Sequence, residues 1–178
     1  MGGMHAHVIL AAGQGTRMRS RLPKVLHPLL GKPMLLYALE AALALKPERL
    51  VVVVGHGGEK VVEALEGYPV EVAWQKEQLG TAHALLQAEG LLRDFPGPFL
   101  VTQGDTPLLS PRTLEALLRR VREGAGMALL TAELPDPTGY GRILREGEEV
   151  LGNVEEKDAP PEVRAIREVN AGAYAFDG

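Results

Sequence analysis

The sequence predicts an α/β fold built on a doubly wound, mostly parallel sheet, and three observations carry that expectation. Short apolar runs alternate with longer stretches of helical periodicity, which is the rhythm of strand–helix–strand units. One run, "LVVVV" at residues 50–54, is apolar at every position, as a strand covered on both faces must be. The first apolar run opens directly into a glycine-rich turn, "AAGQG", where such sheets carry their ligand loops.

The strand candidates, in chain order, are "HVILAA", "RLVVVVG", "VEVAWQ", "PFLVTQGD" and "GMALLTAEL". Each is short, bounded by turn residues, and enriched in β-branched or apolar side chains. Residues 34–45, 59–65, 81–92 and 110–122 carry the helical spacing between them. Right-handed crossovers then give the doubly wound sheet. After Leu134 the rhythm changes, and "LPDPTGYGRIL", "EEVLGNVEE" and "EVNAGAYAF" read as a turn-rich β-region carrying site loops. No repeat or interdomain linker interrupts the 178 residues, so a single domain is expected. The last apolar run ends at Gly178 with no closing helix, and the expectation is that the domain continues further.

Composition narrows the function classes. The 19 Lys and Arg against 23 Asp and Glu give a formal charge of -4, so there is no global basic field for nucleic acid or an anionic membrane. Any anion site must therefore be local. Cysteine is absent, which excludes disulfides, thiolate metal ligands and a cysteine nucleophile. No apolar stretch reaches the roughly 20 residues of a membrane span, and "MGGMHAH" lacks the apolar core of a secretory signal, so a cytoplasmic protein is expected.

The local anion site is the first loop. "LAAGQGTRMRSRLPKVL" places Gly13, Gly15, Arg17 and Lys24 after the first strand. The glycines allow positive φ and close approach, so that amides can face phosphate oxygens, and the cations add charge. Met18 stands where the dinucleotide fingerprint needs its third glycine, and the Walker pattern is absent too. No nucleophile–histidine–carboxylate arrangement competes, and His27, His56 and His83 are scattered.

At this point the chain resembles a known family, the sugar-1-phosphate nucleotidyltransferases, and within it the N-acetylglucosamine-1-phosphate uridyltransferases. The motifs that carry the resemblance are "LAAGQGTRM", "LPKVLH", "GKPM", "QLGTAHAL", "GDTPLL", "DPTGYGRI", "VEEKDA" and "EVNAG", in the family's order from Val8 onward. The resemblance implies a Rossmann-like fold of the nucleotide-diphospho-sugar transferase type, UTP and N-acetylglucosamine 1-phosphate as substrates, Mg2+ as cofactor, and a place in cell-wall precursor synthesis.

By resemblance, Leu10, Ala11, Ala12, Gly13 and Gly15 contact the nucleotide, with Arg17 and Lys24 as the catalytic, phosphate-binding cations. Gln75, Gly80 and Thr81 match the uracil-reading segment, where an amide and backbone groups satisfy the edge of the base. Asp105 matches the metal ligand. Gln103, Gly104, Gly141, Glu155 and Asn170 fall in the sugar-binding segments, Gln103 replacing a tyrosine common in the family. A second metal ligand of the family, an asparagine, has no counterpart before Gly178, and the hexapeptide repeats of an acetyltransferase domain are absent from this chain.

Taken singly, each of these residues has a plainer reading. Asp105 suits a turn before "TPLLSP", Lys24 a loop surface, Glu155 a solvated face, Gln75 a strand end, Asn170 a strand edge and Thr81 a helix cap. Their recurrence at strand ends favours the site. Two other readings stay open: a nucleotidyltransferase for another base or sugar, and a non-catalytic nucleotide-sugar-binding module. A homo-oligomer stays open as well.

Overall fold

A computed structural model describes residues 4–12, 23–55, 57–75, 90, 92–105, 109–138, 142–147, 149–154 and 156–177. The chain divides into two compact units, Met1–Ala128 with Tyr174–Gly178, and Leu129–Ala173. The first contains β1 (Ala6–Ala11), a 3-10 turn (Lys24–Leu26), β2 (Pro28–Leu29), β3 (Lys32–Pro33), α1 (Met34–Ala44), β4 (Arg49–Val54), α2 (Glu59–Ala64), β5 (Glu71–Trp74), β6 (Phe99–Gln103) and α3 (Pro111–Arg122). β7 (Met127–Glu133) leads into the second, which holds β8 (Arg142–Glu146), β9 (Glu149–Val154), a 3-10 turn (Glu156–Asp158) and α4 (Pro161–Arg164). β10 (Glu168–Phe176) begins in the second unit and ends in the first.

In the first unit, β5, β4, β1 and β6 lie side by side in that order, all parallel. Val8 is in register with Val51 on one side and Val101 on the other. Val51, Val52, Val53 and Val54 are all 0% exposed, which accounts for the unbroken apolar run: both faces of β4 are covered. On one face, Ile9, Val52 and Val54 pack with Leu35 and Leu39 of α1 and Val61 of α2. On the other, Val8, Leu10, Val53, Ala73 and Val101 pack with Leu92, Tyr174 and Phe176. Leu92 is the end of the 81–92 stretch read as helical, most of which lies outside the described residues.

Local signals place the helices. Ser110 caps α3, its Oγ accepting from Thr113 N–H at 3.2 Å, with Pro111 in the first turn and Arg119, Arg120 and Arg122 in the last, where the dipole favours cations. α1 has no side-chain cap, and Met34 N–H donates instead to the His27 carbonyl at 3.0 Å.

Two features differ from the sequence reading. The two-residue strands β2 and β3 form a hairpin too short to show any alternation, turning through Leu30 (φ 53) and Gly31 (φ 81). The fifth apolar run, β7, stays outside the parallel strands and pairs with β10; its side chains are only partly buried, unlike those of β4.

In the second unit β8 lies between β9 and β10 and is antiparallel to both. Glu168 of β10 accepts from Arg145 (2.7 and 2.5 Å) and from the Thr131 hydroxyl at 2.6 Å. These donors hold its carboxyl below the ordinary glutamate range, the Arg145 hydrogen bond contributing most. Among the described residues no helix is long and apolar enough to cross a membrane.

Candidate active site

The chain passes from β1 to β4 and β5 on one side, then returns to β6 on the other, so the strand order reverses at β1. Ligands in open α/β sheets bind beyond the carboxyl ends of the strands at such a reversal. Leu10 is in register with Gln103, and Gly104 N–H donates to the Leu10 carbonyl at 2.9 Å, which ties the turn after β6 to the end of β1. Gln75 N–H donates to the Val54 carbonyl at 2.7 Å and so continues β5 by one residue. Its amide side chain is almost wholly buried.

Close packing draws two further segments to this end. A Cβ on Gly104 would lie 3.0 Å from Val25 Cγ1 and 3.2 Å from Leu35 Cδ1. The 3-10 turn that opens with Lys24 is therefore seated directly against the turn that carries Asp105. A Cβ on Gly55 would stand 2.8 Å from the Ala12 carbonyl oxygen, so the loop after β4 touches the residue that follows β1. Asp105 itself is partly exposed.

Of the residues read from the sequence, the structure thus brings together Leu10, Ala11, Ala12, the backbone of Lys24, Gln75, Gln103, Gly104 and Asp105. Gly13, Gly15, Arg17, Gly80, Thr81, Gly141 and Glu155 lie outside the described residues. In the second unit the register gathers three motifs that the sequence reading assigned to the sugar. Arg142, which follows Gly141, pairs with Val154, which precedes Glu155, and with Val169, which precedes Asn170.

Sequence reasoning missed four residues at or near these strand ends. Gly55 and Gly58 belong to "VVVVGHGG", a glycine run after an apolar strand with the same signature as the first loop. Arg142 is 2% exposed, and nothing in "GYGRI" says that its guanidinium is buried. Asp136, at the start of that motif, accepts from the Thr138 hydroxyl at 2.5 Å and from Thr138 N–H at 3.2 Å. Its carboxyl sits below the usual range, chiefly through the Thr138 hydroxyl and amide, with a smaller part from the charge of Arg142.

A metal fits the first cluster in one form only. Among the described residues no group of three or more His, Asp or Glu could hold an ion, so Asp105 would act as a lone carboxylate. That suits Mg2+, which commonly takes one or two carboxylates and completes its shell with phosphate oxygens and water.

The fold and these strand-end loops define a nucleotidyltransferase: residues 7–161 match the MobA-like NTP transferase domain, and the chain belongs to that family. Over 97% of its length it is 55% identical to the bifunctional protein GlmU of Syntrophotalea carbinolica and 53% identical to that of Pelotomaculum thermopropionicum. The Bacillus licheniformis protein of the same name is 51% identical over 96% of the chain. The chain spans 37–38% of the length of these relatives. Among solved structures, UDP-glucose pyrophosphorylase complexed with UDP-glucose superposes with a TM-score of 0.79 at 22% identity, over 98% of this chain and 76% of that one. The apo form gives 0.79 at 20% identity, over 98% and 77%. At these identities the likeness concerns the fold.

Proposed function

We propose that this chain is a single uridyltransferase domain that joins UTP to N-acetylglucosamine 1-phosphate, giving UDP-N-acetylglucosamine and pyrophosphate for cell-wall precursor synthesis in the cytoplasm. The observation that carries the reading is the seating of the Lys24 turn against Gly104–Asp105 through Val25, beside the ends of β1 and β5. The backbone of the Lys24 turn, the Gly104–Asp105 turn and the buried Gln75 lie at neighbouring strand ends, which supports a nucleotide site there.

The chemistry needs little more. A sugar 1-phosphate is already an anion near neutral pH, so its oxygen attacks the α-phosphorus without a general base, and pyrophosphate leaves with the displaced P–O electrons. Lys24 and Arg17 would hold the triphosphate and neutralise developing charge. Gln75, with Gly80 and Thr81, would read the uracil edge, while Leu10, Ala11, Ala12, Gly13 and Gly15 line the nucleotide. Gln103, Gly104, Gly141, Glu155 and Asn170 would receive the sugar, a carboxylate and an amide being suited to hydroxyl and acetamido groups. Asp105 would hold Mg2+, which supplies charge neutralisation on the phosphate oxygens.

The test is pyrophosphate release from UTP, CTP, ATP and dTTP with N-acetylglucosamine 1-phosphate or glucose 1-phosphate, with and without Mg2+. Release confined to UTP, the amino sugar and Mg2+ is the expected result. Equal release with another pair overturns the substrate assignment.

A further inference from the structure

We infer that Trp74 is a positioning residue of the nucleotide site, its indole holding the turn from Gly55 to Gly58 against Ala12. This rests on the nucleotide reading proposed above, in which Ala12 lines the nucleotide. Trp74, the single tryptophan of the chain, ends β5 in register with Val54, the last residue of β4, so the two side chains share one face of the sheet. On that face Val54 is 0% exposed and packs with Val61 of α2 and with Val72 of β5. Trp74 stands two residues beyond Val72 and is 44% exposed. Burial in the core therefore does not account for so large a ring at this place. What the indole touches is the turn.

Gly58 shows the contact. A Cβ there would lie 3.1 Å from Trp74 Cζ3, 2.9 Å from Val54 Cβ and 2.7 Å from the Gly55 carbonyl oxygen, so the residue is enclosed by the indole, the end of β4 and its own turn. Gly58 N–H donates to that same carbonyl at 2.9 Å and closes the turn, with Gly57 at φ 75 inside it. The other end is as tight: a Cβ on Gly55 would stand 2.8 Å from the Ala12 carbonyl oxygen and 3.1 Å from Ala12 Cβ. Glycine at 55, 57 and 58 lets the turn lie this close and leaves those positions no side chain to anchor it. The anchoring comes from outside, from Trp74 on one side and Ala12 on the other. Without the indole, the turn is free to move off Ala12, and the wall of the nucleotide site moves with it.

The experiment pairs calorimetric titration with UDP and the emission of Trp74, excited where uridine does not absorb, in the 178-residue chain, with titration of its Trp74→Phe and Trp74→Ala variants. UDP is expected to change the wild-type emission saturably, with the calorimetric Kd. Trp74→Ala is expected to bind UDP about tenfold or more weakly, and Trp74→Phe, whose smaller ring still covers Gly58, within about threefold of wild type. Wild-type affinity in Trp74→Ala overturns the inference, and so does UDP binding that leaves the wild-type emission unchanged: the indole is then packing alone. Trp74→Phe falling as far as Trp74→Ala overturns it too, since a ring over Gly58 then does not suffice. A wild-type chain that binds no UDP overturns the nucleotide reading itself, and the role of Trp74 with it. Should Trp74→Ala fail to melt cooperatively, the wild-type emission and the affinity of Trp74→Phe decide.

Discussion

His7 Nε2 and Thr102 Oγ1 share a buried hydrogen bond of 2.8 Å between β1 and β6, the two strands that end at Ala11 and just before Asp105. The His7 ring is 0% exposed, and its Nδ1 has no hydrogen-bond partner among the described residues. Burial, with a smaller contribution from the neighbouring His5, pulls its pKa from 6.5 down to about 3. The folded protein therefore refuses a proton that the unfolded chain accepts below 6.5, and stability falls as pH drops from there toward about 3. The slope contributed is at most about 1.4 kcal/mol per pH unit. In His7→Gln this part of the acid sensitivity should vanish between pH 6 and 4, measured by urea melts at each pH. Identical slopes in both proteins would refute the assignment.

Leu30 is 94% exposed at the tip of the β2–β3 hairpin and holds φ 53, with Gly31 at φ 81. Two successive positive φ values suit a turn that prefers Asn-Gly, and a leucine there carries strain without burial in return. Leu30→Asn should stabilise the protein by about 0.5–1 kcal/mol, seen as a higher urea midpoint at unchanged slope.

Gly55→Ala should do the reverse. Its Cβ would meet the Ala12 carbonyl oxygen at 2.8 Å, and backbone does not yield as a flexible side chain would. The expected loss is about 1–3 kcal/mol, accompanied under the proposed function by weaker UTP binding, because Ala12 leads directly into the first glycine-rich loop. Unchanged UTP affinity in a folded variant would uncouple the two loops.

For the proposed reaction, Lys24→Ala should lower kcat/KM by well over tenfold, more than about 1.4 kcal/mol of transition-state stabilisation, while the melt is preserved. Gln75→Ala should relax the preference for UTP over CTP and leave the sugar preference intact. Competition between the two nucleotides reads this directly, and an unchanged ratio would move base reading elsewhere.

The parallel strands β1 and β4 were legible because their side chains are buried on both faces, so composition alone marks them. Ser110 announced the start of α3 in the same local way. What escaped was non-local. Nothing near Arg142 in sequence shows that it pairs with both Val154 and Val169, and the β2–β3 hairpin is too short for any period to register. The second glycine loop at Gly55 was visible as a pattern. Its closeness to Ala12 needed the strand order, which places β4 beside β1. MobA-like membership and fold agree with the resemblance, whereas the roles of Arg17, Glu155 and the other loop residues rest on their motifs.

The division of β10 has a consequence for biosynthesis. Tyr174, Ala175 and Phe176 pair with Val101, Leu100 and Phe99, yet they leave the ribosome after every residue of the second unit. Until they arrive, one side of β6 is an open strand edge, a template for pairing with other chains. The first unit thus depends for closure on a segment made only after the whole second unit, and a ribosome paused between Ala128 and Tyr174 holds a nascent chain whose sheet invites a chaperone.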